Sequence, residues 1–337
     1  MRRQDTAEVL LDVEDLTVAY DVGPGRPPLQ IVHGASFRID RGELVAIVGE
    51  SGSGKTTMVQ SLIRLNPQDR CHVGGHARFE GIDLVAASER ALGNIRCGRI
   101  GMIFQDPYNA LNPVITLGKQ MDEALARHTS LSKDERRART IELFEMVRLP
   151  DPSSLLRVYP HQVSGGMRQR VCIAMALSGG AELLLADEPT TALDVTTQHQ
   201  IIVELNHLRR QTGLAVALVT HNLALVANIA DRILVMYGGR IVEEGTRDDI
   251  FFRPRHPYTQ GLLAAIPRLD AEKDADLAQI PGEPPQPGEL SIGCGFAPRC
   301  QVALARCSTD RPPAGQVAEG HRCACWVALE AVESAPV

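Results

Sequence analysis

The apolar run Leu44-Val45-Ala46-Ile47-Val48 leads directly into Gly49-Glu50-Ser51-Gly52-Ser53-Gly54-Lys55-Thr56, and Thr57-Met58-Val59-Gln60-Ser61-Leu62-Ile63 follows. A short, continuously apolar run predicts a strand buried on both faces of a sheet that helices cover, and the segment after the glycines reads as helical. A strand, a turn spelling G-x-x-x-x-G-K-[ST] and a helix, in that order, constrain the chain to an α/β fold built around a loop that cradles a polyphosphate. Glycines let backbone N–H groups turn inward around the anion, and the helix N-terminus adds a partial positive charge. The expected ligand is ATP. Lys55 reaches its β- and γ-phosphates, Thr56 ligates Mg2+, and the candidate contacts run from Gly49 through Thr57. A merely glycine-rich turn with an exposed lysine is disfavoured by the strand before it and the helix after it.

Sheet-like runs return at Leu183-Leu184-Leu185-Ala186, Ala215-Val216-Ala217-Leu218-Val219 and Ile233-Leu234-Val235-Met236, with helical patterns between them. The first of these ends in Asp187-Glu188, and ligands of open α/β sheets gather at the carboxyl ends of strands. Asp187 suits the Mg2+ shell, whereas Glu188 is suited to orient or deprotonate the attacking water. Neighbours on a strand point to opposite faces, so the two carboxylates are expected to divide the roles. An isolated acidic pair closing a strand is more often a solvated end; the phosphate loop reverses those odds. Ser164-Gly165-Gly166-Met167 precedes the helical pattern Val171-Cys172-Ile173-Ala174-Met175-Ala176-Leu177. On the residues alone it is either a second anion site or an ordinary helix cap.

Residues 9–20 mix β-branched and polar residues like a strand, which Asp21-Val22-Gly23-Pro24-Gly25 breaks. From Leu117 to about Pro160 apolar residues recur at helical spacing, as at Ile141, Leu143, Phe144, Met146 and Val147. Pro281-Gly282-Glu283-Pro284-Pro285-Gln286-Pro287-Gly288 suits neither a helix nor a central strand and reads as a linker. With 44% hydrophobic residues the chain can bury a core, and its net charge of −6 argues against nucleic acid as a partner. No run reaches the roughly 18 apolar residues of a membrane span, and none at the start resembles a secretion signal.

Phosphate loop, Ser-Gly-Gly element and acidic strand, in this order, resemble the nucleotide-binding subunits of ATP-binding cassette (ABC) transporters over roughly residues 9–250. The resemblance identifies Gln105 in Phe104-Gln105-Asp106-Pro107 with the family's Q-loop, Ala192-Leu193-Asp194 with its D-loop, and His221 with its switch histidine. Tyr20 sits where the family stacks an aromatic ring on adenine, although a lone tyrosine near a strand end is otherwise usually packing. Gln105-Asp106-Pro107 with Leu111-Asn112-Pro113, Tyr159-Pro160-His161-Gln162, Gly165-Gly166-Met167 and His256-Pro257-Tyr258-Thr259 with Gly261-Leu262-Leu263 narrow the resemblance to the peptide and nickel importers. Met167 is usual in that branch, and Asn222 replaces the aspartate that often follows the switch histidine.

The resemblance implies a P-loop NTPase core with RecA-like, antiparallel β and helical subdomains. The cassette is expected at 1–255, its helical subdomain at about 106–180, and a C-terminal extension at 256–337. Glu188, His221 and Gln105 would be catalytic, with Thr56, Gln105 and Asp187 around Mg2+. Ser164, Gly165, Gly166 and Met167 would face the ATP of a second ABC ATPase, a paralogue rather than a copy. Two membrane permease subunits and an extracytoplasmic binding protein complete the implied assembly, with this chain on the cytoplasmic face of the inner membrane. Two rival functions remain: a nickel or other small-solute importer of the same branch, and a soluble ABC ATPase acting on DNA or ribosomes.

Cys294, Cys300, Cys307, Cys323 and Cys325 crowd beyond the proline-rich segment. Their spacing leaves a metal undecided, although thiolates favour zinc or an iron–sulfur cluster over hard cations. Importer ATPases of the resembled branch carry such a tail, often with a [4Fe-4S] cluster, and end it in a Gly-His-Arg-x-Ala-Cys context. Gly320-His321-Arg322-Cys323-Ala324-Cys325 then implies Cys294, Cys300, Cys307 and Cys325 as ligands and Cys323 as an extra thiol. Zinc, and reduced or disulfide-linked thiols, remain as alternatives.

Overall fold

The structure is a computed structural model, and it describes residues 8–191, 193–266, 279–286, 288–289 and 292–333. The chain forms two compact units, one of residues up to 11, 39–44 and 86–219, the other of residues 12–38, 45–85 and 220–337.

The second unit carries the phosphate loop. Its strand Leu44–Val48 is buried throughout and pairs in parallel with Arg232–Tyr237, Val45 opposite Arg232 and Val48 opposite Val235. Arg232–Tyr237 then turns through Gly238-Gly239 and pairs antiparallel with Arg240–Thr246. Both turn glycines have positive φ, +51° and +75°, the geometry whose twist matches a two-residue hairpin. His321–Cys323 adds antiparallel to Arg240–Thr246, and Gly315–Ala318 adds in turn to His321–Cys323. Two strands of the C-terminal region thus extend this sheet at its edge.

A four-stranded sheet in the order Leu29–Asp40, Val9–Tyr20, Cys71–Phe79, Ile82–Asp83 accompanies it. Leu10, Leu11, Val13, Leu16 and Val18 are buried along its long strand, where Asp15 adopts a positive φ and shifts the alternation. The helix Arg247–Phe252 starts on a capping box between Thr246 and Asp249, and Pro257–Ala264 starts on the His256 side chain, which accepts from the Tyr258 N–H.

In the first unit Ile100–Ile103, Leu183–Asp187 and Ala215–Thr220 run parallel, with Leu183–Asp187 in the middle and all five of its residues buried. The helical stretch resolves into Leu117–His128 and Lys133–Met146, the second opened by a capping box between Ser132 and Glu135. Lys133–Met146 packs on Leu117–His128 and on Gly165–Leu177, burying Met121, Leu125, Leu143, Phe144, Val171 and Ile173. Arg170 and Glu204 form a nearly buried ion pair between Gly165–Leu177 and Val195–Thr212. Among the described residues no helix is long and apolar enough to cross a membrane.

Candidate functional site

The phosphate loop begins at a position only glycine fills. Gly49 has φ +153°, and a Cβ there would lie 2.2 Å from the Met236 carbonyl oxygen. The loop closes at Gly54, whose left-handed φ of +92° caps the helix Lys55–Leu62. Lys55 is 4% exposed, and its Nζ donates to Gly49 O at 2.9 Å, Glu50 O at 2.8 Å and Ser53 Oγ at 3.4 Å. The ammonium is therefore held over the loop instead of extending into solvent. The Gly238-Gly239 hairpin braces the same loop, since the Gly239 N–H donates to Ser53 O at 3.0 Å. Ser51 and Gly52 are exposed at the tip, while Thr56 and Thr57 open the helix on a half-buried face.

Glu50, a candidate ATP contact, has its polar groups engaged elsewhere. Its N–H donates to Tyr258 Oη at 2.8 Å, and its carboxylate accepts from Arg299 Nη1 at 2.7 Å and Nη2 at 3.0 Å. Tyr20 and Thr57 are brought together: burial pushes the Tyr20 hydroxyl up to about 12, the neighbouring Cys71 pushes the same way, and a hydrogen bond with Thr57 opposes both. His221 is exposed just past Ala215–Thr220, and Asn222 caps the short helix Leu223–Val226 through its side chain.

The acidic strand lies in the first unit. Asp187 ends Leu183–Asp187 and is 1% exposed. Glu188 follows with φ +44°, an uncommon conformation for a residue with a side chain, and its N–H donates to Val219 O at 3.0 Å. Strain of this kind persists only where surroundings over-determine it, and it clusters at functional sites. The Glu188 carboxylate accepts from Gln105 Nε2 at 3.2 Å and from Thr191 Oγ1 at 2.9 Å. Gln105 and Glu188, separate in sequence, thus share one hydrogen bond.

Ser164 is a helix cap, accepting from the Met167 N–H at 3.3 Å. A Cβ on Gly165 would lie 3.1 Å from Leu193 Cδ2 and one on Gly166 2.8 Å from Thr197 Cγ2, so the two glycines abut Leu193 and the start of Val195–Thr212. Asp194 caps Val195–Thr212, accepting from Thr197 N at 3.0 Å and Thr197 Oγ1 at 2.7 Å, and these bonds hold its carboxyl below the usual range. Ala192 lies outside the described residues. Tyr20, the phosphate loop and His221 belong to one unit; Gln105, Ser164–Met167, Asp187, Glu188, Leu193 and Asp194 belong to the other.

The C-terminal cysteines gather. Cys294 N–H donates to Cys307 O at 2.7 Å. Burial pushes the Cys294, Cys300 and Cys325 thiols up, with Cys307 adding to each and Cys325 adding to Cys294. Cys323 is 1% exposed; burial pushes its thiol up, and Glu243 adds to the shift. Among the described residues no three His, Cys, Asp or Glu are placed to hold a metal ion.

Two features are not encoded by any local sequence pattern. One is the pair Arg299, beside Cys300, and Tyr258, within His256-Pro257-Tyr258-Thr259, neither of which carries a local sequence signal for meeting Glu50. Glu243 is the other: fully buried, it accepts from His321 Nε2 at 2.8 Å, Arg255 N at 2.6 Å and His256 N at 3.0 Å, joining the sheet to the C-terminal strands.

A phosphate loop on a parallel strand and a Gln–Glu pair at the end of another define an ATP-binding cassette ATPase. The profile of the ABC transporter family matches residues 32–191, and that of the oligopeptide/dipeptide transporter C-terminal region matches residues 242–307. The oligopeptide transport ATP-binding protein OppD of Bacillus subtilis strain 168 is 45% identical over 94% of this chain and 88% of its own. The dipeptide transport ATP-binding protein DppD of the same organism is 45% identical over 97% of both chains. OppD of Escherichia coli K12 is 43% identical over 97% of this chain and 96% of its own. Among solved structures, the ATP-binding cassette MJ0796 in a dimeric post-hydrolysis state bound to ADP and Pi superposes with a TM-score of 0.62 at 30% identity, covering 70% of this chain and 98% of that one. The chain belongs to the ABC transporter family, in its oligopeptide and dipeptide transporter branch.

Proposed function

We propose that this chain is the ATP-hydrolysing subunit of an importer of dipeptides or oligopeptides. The observation that carries this reading is near-full-length identity, 45% over 97% of both chains, to a dipeptide transport ATP-binding protein. In this reading residues 1–255 form the cassette and 256–337 the importer-type extension. Two integral-membrane permeases, fed by an extracytoplasmic binding protein, dock it at the cytoplasmic face of the membrane.

Lys55 and the loop N–H groups would hold the phosphates of ATP; Thr56, Gln105 and Asp187 would be the oxygen ligands of Mg2+, whose chemistry when bound is to neutralise phosphate charge. Glu188, which accepts from Gln105 and Thr191, would orient the attacking water and take its proton; these two bonds support the reading. His221 contacts the γ-phosphate, and Tyr20 stacks on the adenine. Ser164, Gly165, Gly166 and Met167 face the nucleotide of a second ABC ATPase, with Leu193 and Asp194 beside that junction. Co-expression with candidate permease subunits and their binding protein tests the whole: co-purification and peptide-stimulated ATP hydrolysis support it. Stimulation by DNA or ribosomes, with no membrane subunit retained, would overturn it.

The cysteines extend the proposal to a [4Fe-4S] cluster on Cys294, Cys300, Cys307 and Cys325. The support is donor chemistry and the mutual raising of thiols that are half-buried (Cys294, Cys300) or buried (Cys307, Cys325), not a formed site. Anaerobic reconstitution followed by iron and sulfide analysis tests it, and stoichiometric zinc without iron would sink it.

A further inference from the structure

Every polar group of Glu50 is held, and the grip on two of the three comes from the far end of the sequence. Its carbonyl accepts from Lys55 Nζ inside the loop, but its N–H donates to Tyr258, 208 residues on, and its carboxylate accepts both terminal nitrogens of Arg299, 249 residues on. Arg299 is 7% exposed, and its Nε donates to Pro281 O at 2.9 Å while Nη1 also reaches Tyr237 Oη at 3.3 Å. The Tyr237 and Phe296 rings flank the guanidinium at 5.8 and 5.9 Å. Tyr258 is fully buried, edge-on to Tyr237 with centroids 4.6 Å apart. The planar fork of arginine suits this bidentate, ring-flanked place, and the point charge of lysine does not.

A carboxylate at the second position of a loop that receives a polyphosphate is electrostatically adverse. Arg299 cancels that charge from a largely buried position, where screening is weak. Tyr258 fixes the peptide N–H of the same residue, so the loop's entry has one orientation. We propose that Arg299 and Tyr258 are positioning residues for the phosphate loop, through which the C-terminal region sets the chain's affinity for ATP. The inference rests on the reading of Gly49–Thr56 as the ATP-binding loop.

Equilibrium binding of a fluorescent ATP analogue to the full chain, well below its unfolding midpoint, provides the test. Arg299→Gln is expected to weaken binding about tenfold, and Tyr258→Phe about threefold. Adding Glu50→Gln to Arg299→Gln removes the uncancelled charge and is expected to restore most of the affinity, a rescue that a purely structural role of Arg299 would not give. Wild-type affinity in Arg299→Gln, or a double variant no better than the single, overturns the proposal. If Arg299→Gln does not fold, Tyr258→Phe decides, and unchanged affinity there counts against it. Lys55→Ala separates the two levels: a wild-type chain that binds no better than Lys55→Ala removes the ATP reading itself, whereas wild-type binding matched by Arg299→Gln removes this inference alone.

Discussion

Gln105 Nε2 donates to Glu188 Oε2 over 3.2 Å, and the same oxygen accepts from Thr191 Oγ1 over 2.9 Å. A carboxylate that takes two donors on one oxygen is held in a fixed orientation, as a group that positions a water must be. Glu188→Gln therefore keeps ATP binding and lowers turnover at least about 100-fold, because the amide positions poorly and takes no proton. Steady-state phosphate release by the permease-bound assembly measures this, and a parental rate would refute the assignment. Lys55→Ala is expected to weaken binding itself.

Gly49 offers a steric prediction. A methyl group there would meet the Met236 carbonyl at 2.2 Å and Ser53 Oγ at 3.0 Å, in a backbone conformation that side chains rarely adopt. Gly49→Ala is expected to cost about 2–3 kcal/mol of stability and to displace the loop from its strand. Urea titration reads the cost; a loss below about 0.5 kcal/mol would mean that the strand yields more readily than its burial suggests.

His256 is expected to make stability depend on pH. Burial pulls its pKa from the usual 6.5 down to about 4, against the opposing pull of Glu243. The folded chain thus holds His256 neutral where the unfolded chain protonates it, so stability rises with pH between about 4 and 6.5 and is lost as pH falls through that window. His256→Asn keeps a capping side chain at the start of Pro257–Ala264 and removes the titration. Unfolding midpoints at pH 5 and pH 7 should differ less in the variant than in the parent; an equal difference would locate the effect elsewhere.

The two closely spaced C-terminal cysteines should behave differently. Burial raises both thiols; Cys300 and Cys307 add to the shift at Cys325, whereas at Cys323, on the strand His321–Cys323, Glu243 adds more than Cys325 or Cys294. Cys325→Ser is expected to abolish bound iron and sulfide after anaerobic reconstitution, and Cys323→Ser to leave both in place. The reverse pattern would exchange their roles.

Local chemistry was legible in the sequence. The buried strand Leu44–Val48, the glycines of the phosphate loop and the cap at Ser164 each follow from residues within a few positions of one another. The strand Leu29–Asp40 escaped because its alternation breaks at Gly34, whose φ of +73° moves the buried positions from Val32 to Ala35. The strands Gly315–Ala318 and His321–Cys323 escaped because four and three residues are too short for a period-2 pattern.

The sequence by itself determined the kind of site this chain builds, because a phosphate loop needs its glycines, lysine and threonine in consecutive order. It also marked Glu188 by placing it at the end of an apolar strand. Only the tertiary structure decided what holds these groups still. The Gln105–Glu188 bond spans 83 residues and the Arg299–Glu50 clamp 249, and no sequence pattern encodes which distant donor meets which carboxylate. Sheet pairing sets that choice: by joining His321–Cys323 to Arg240–Thr246 it adds strands of the C-terminal region to the edge of the sheet that carries the phosphate loop.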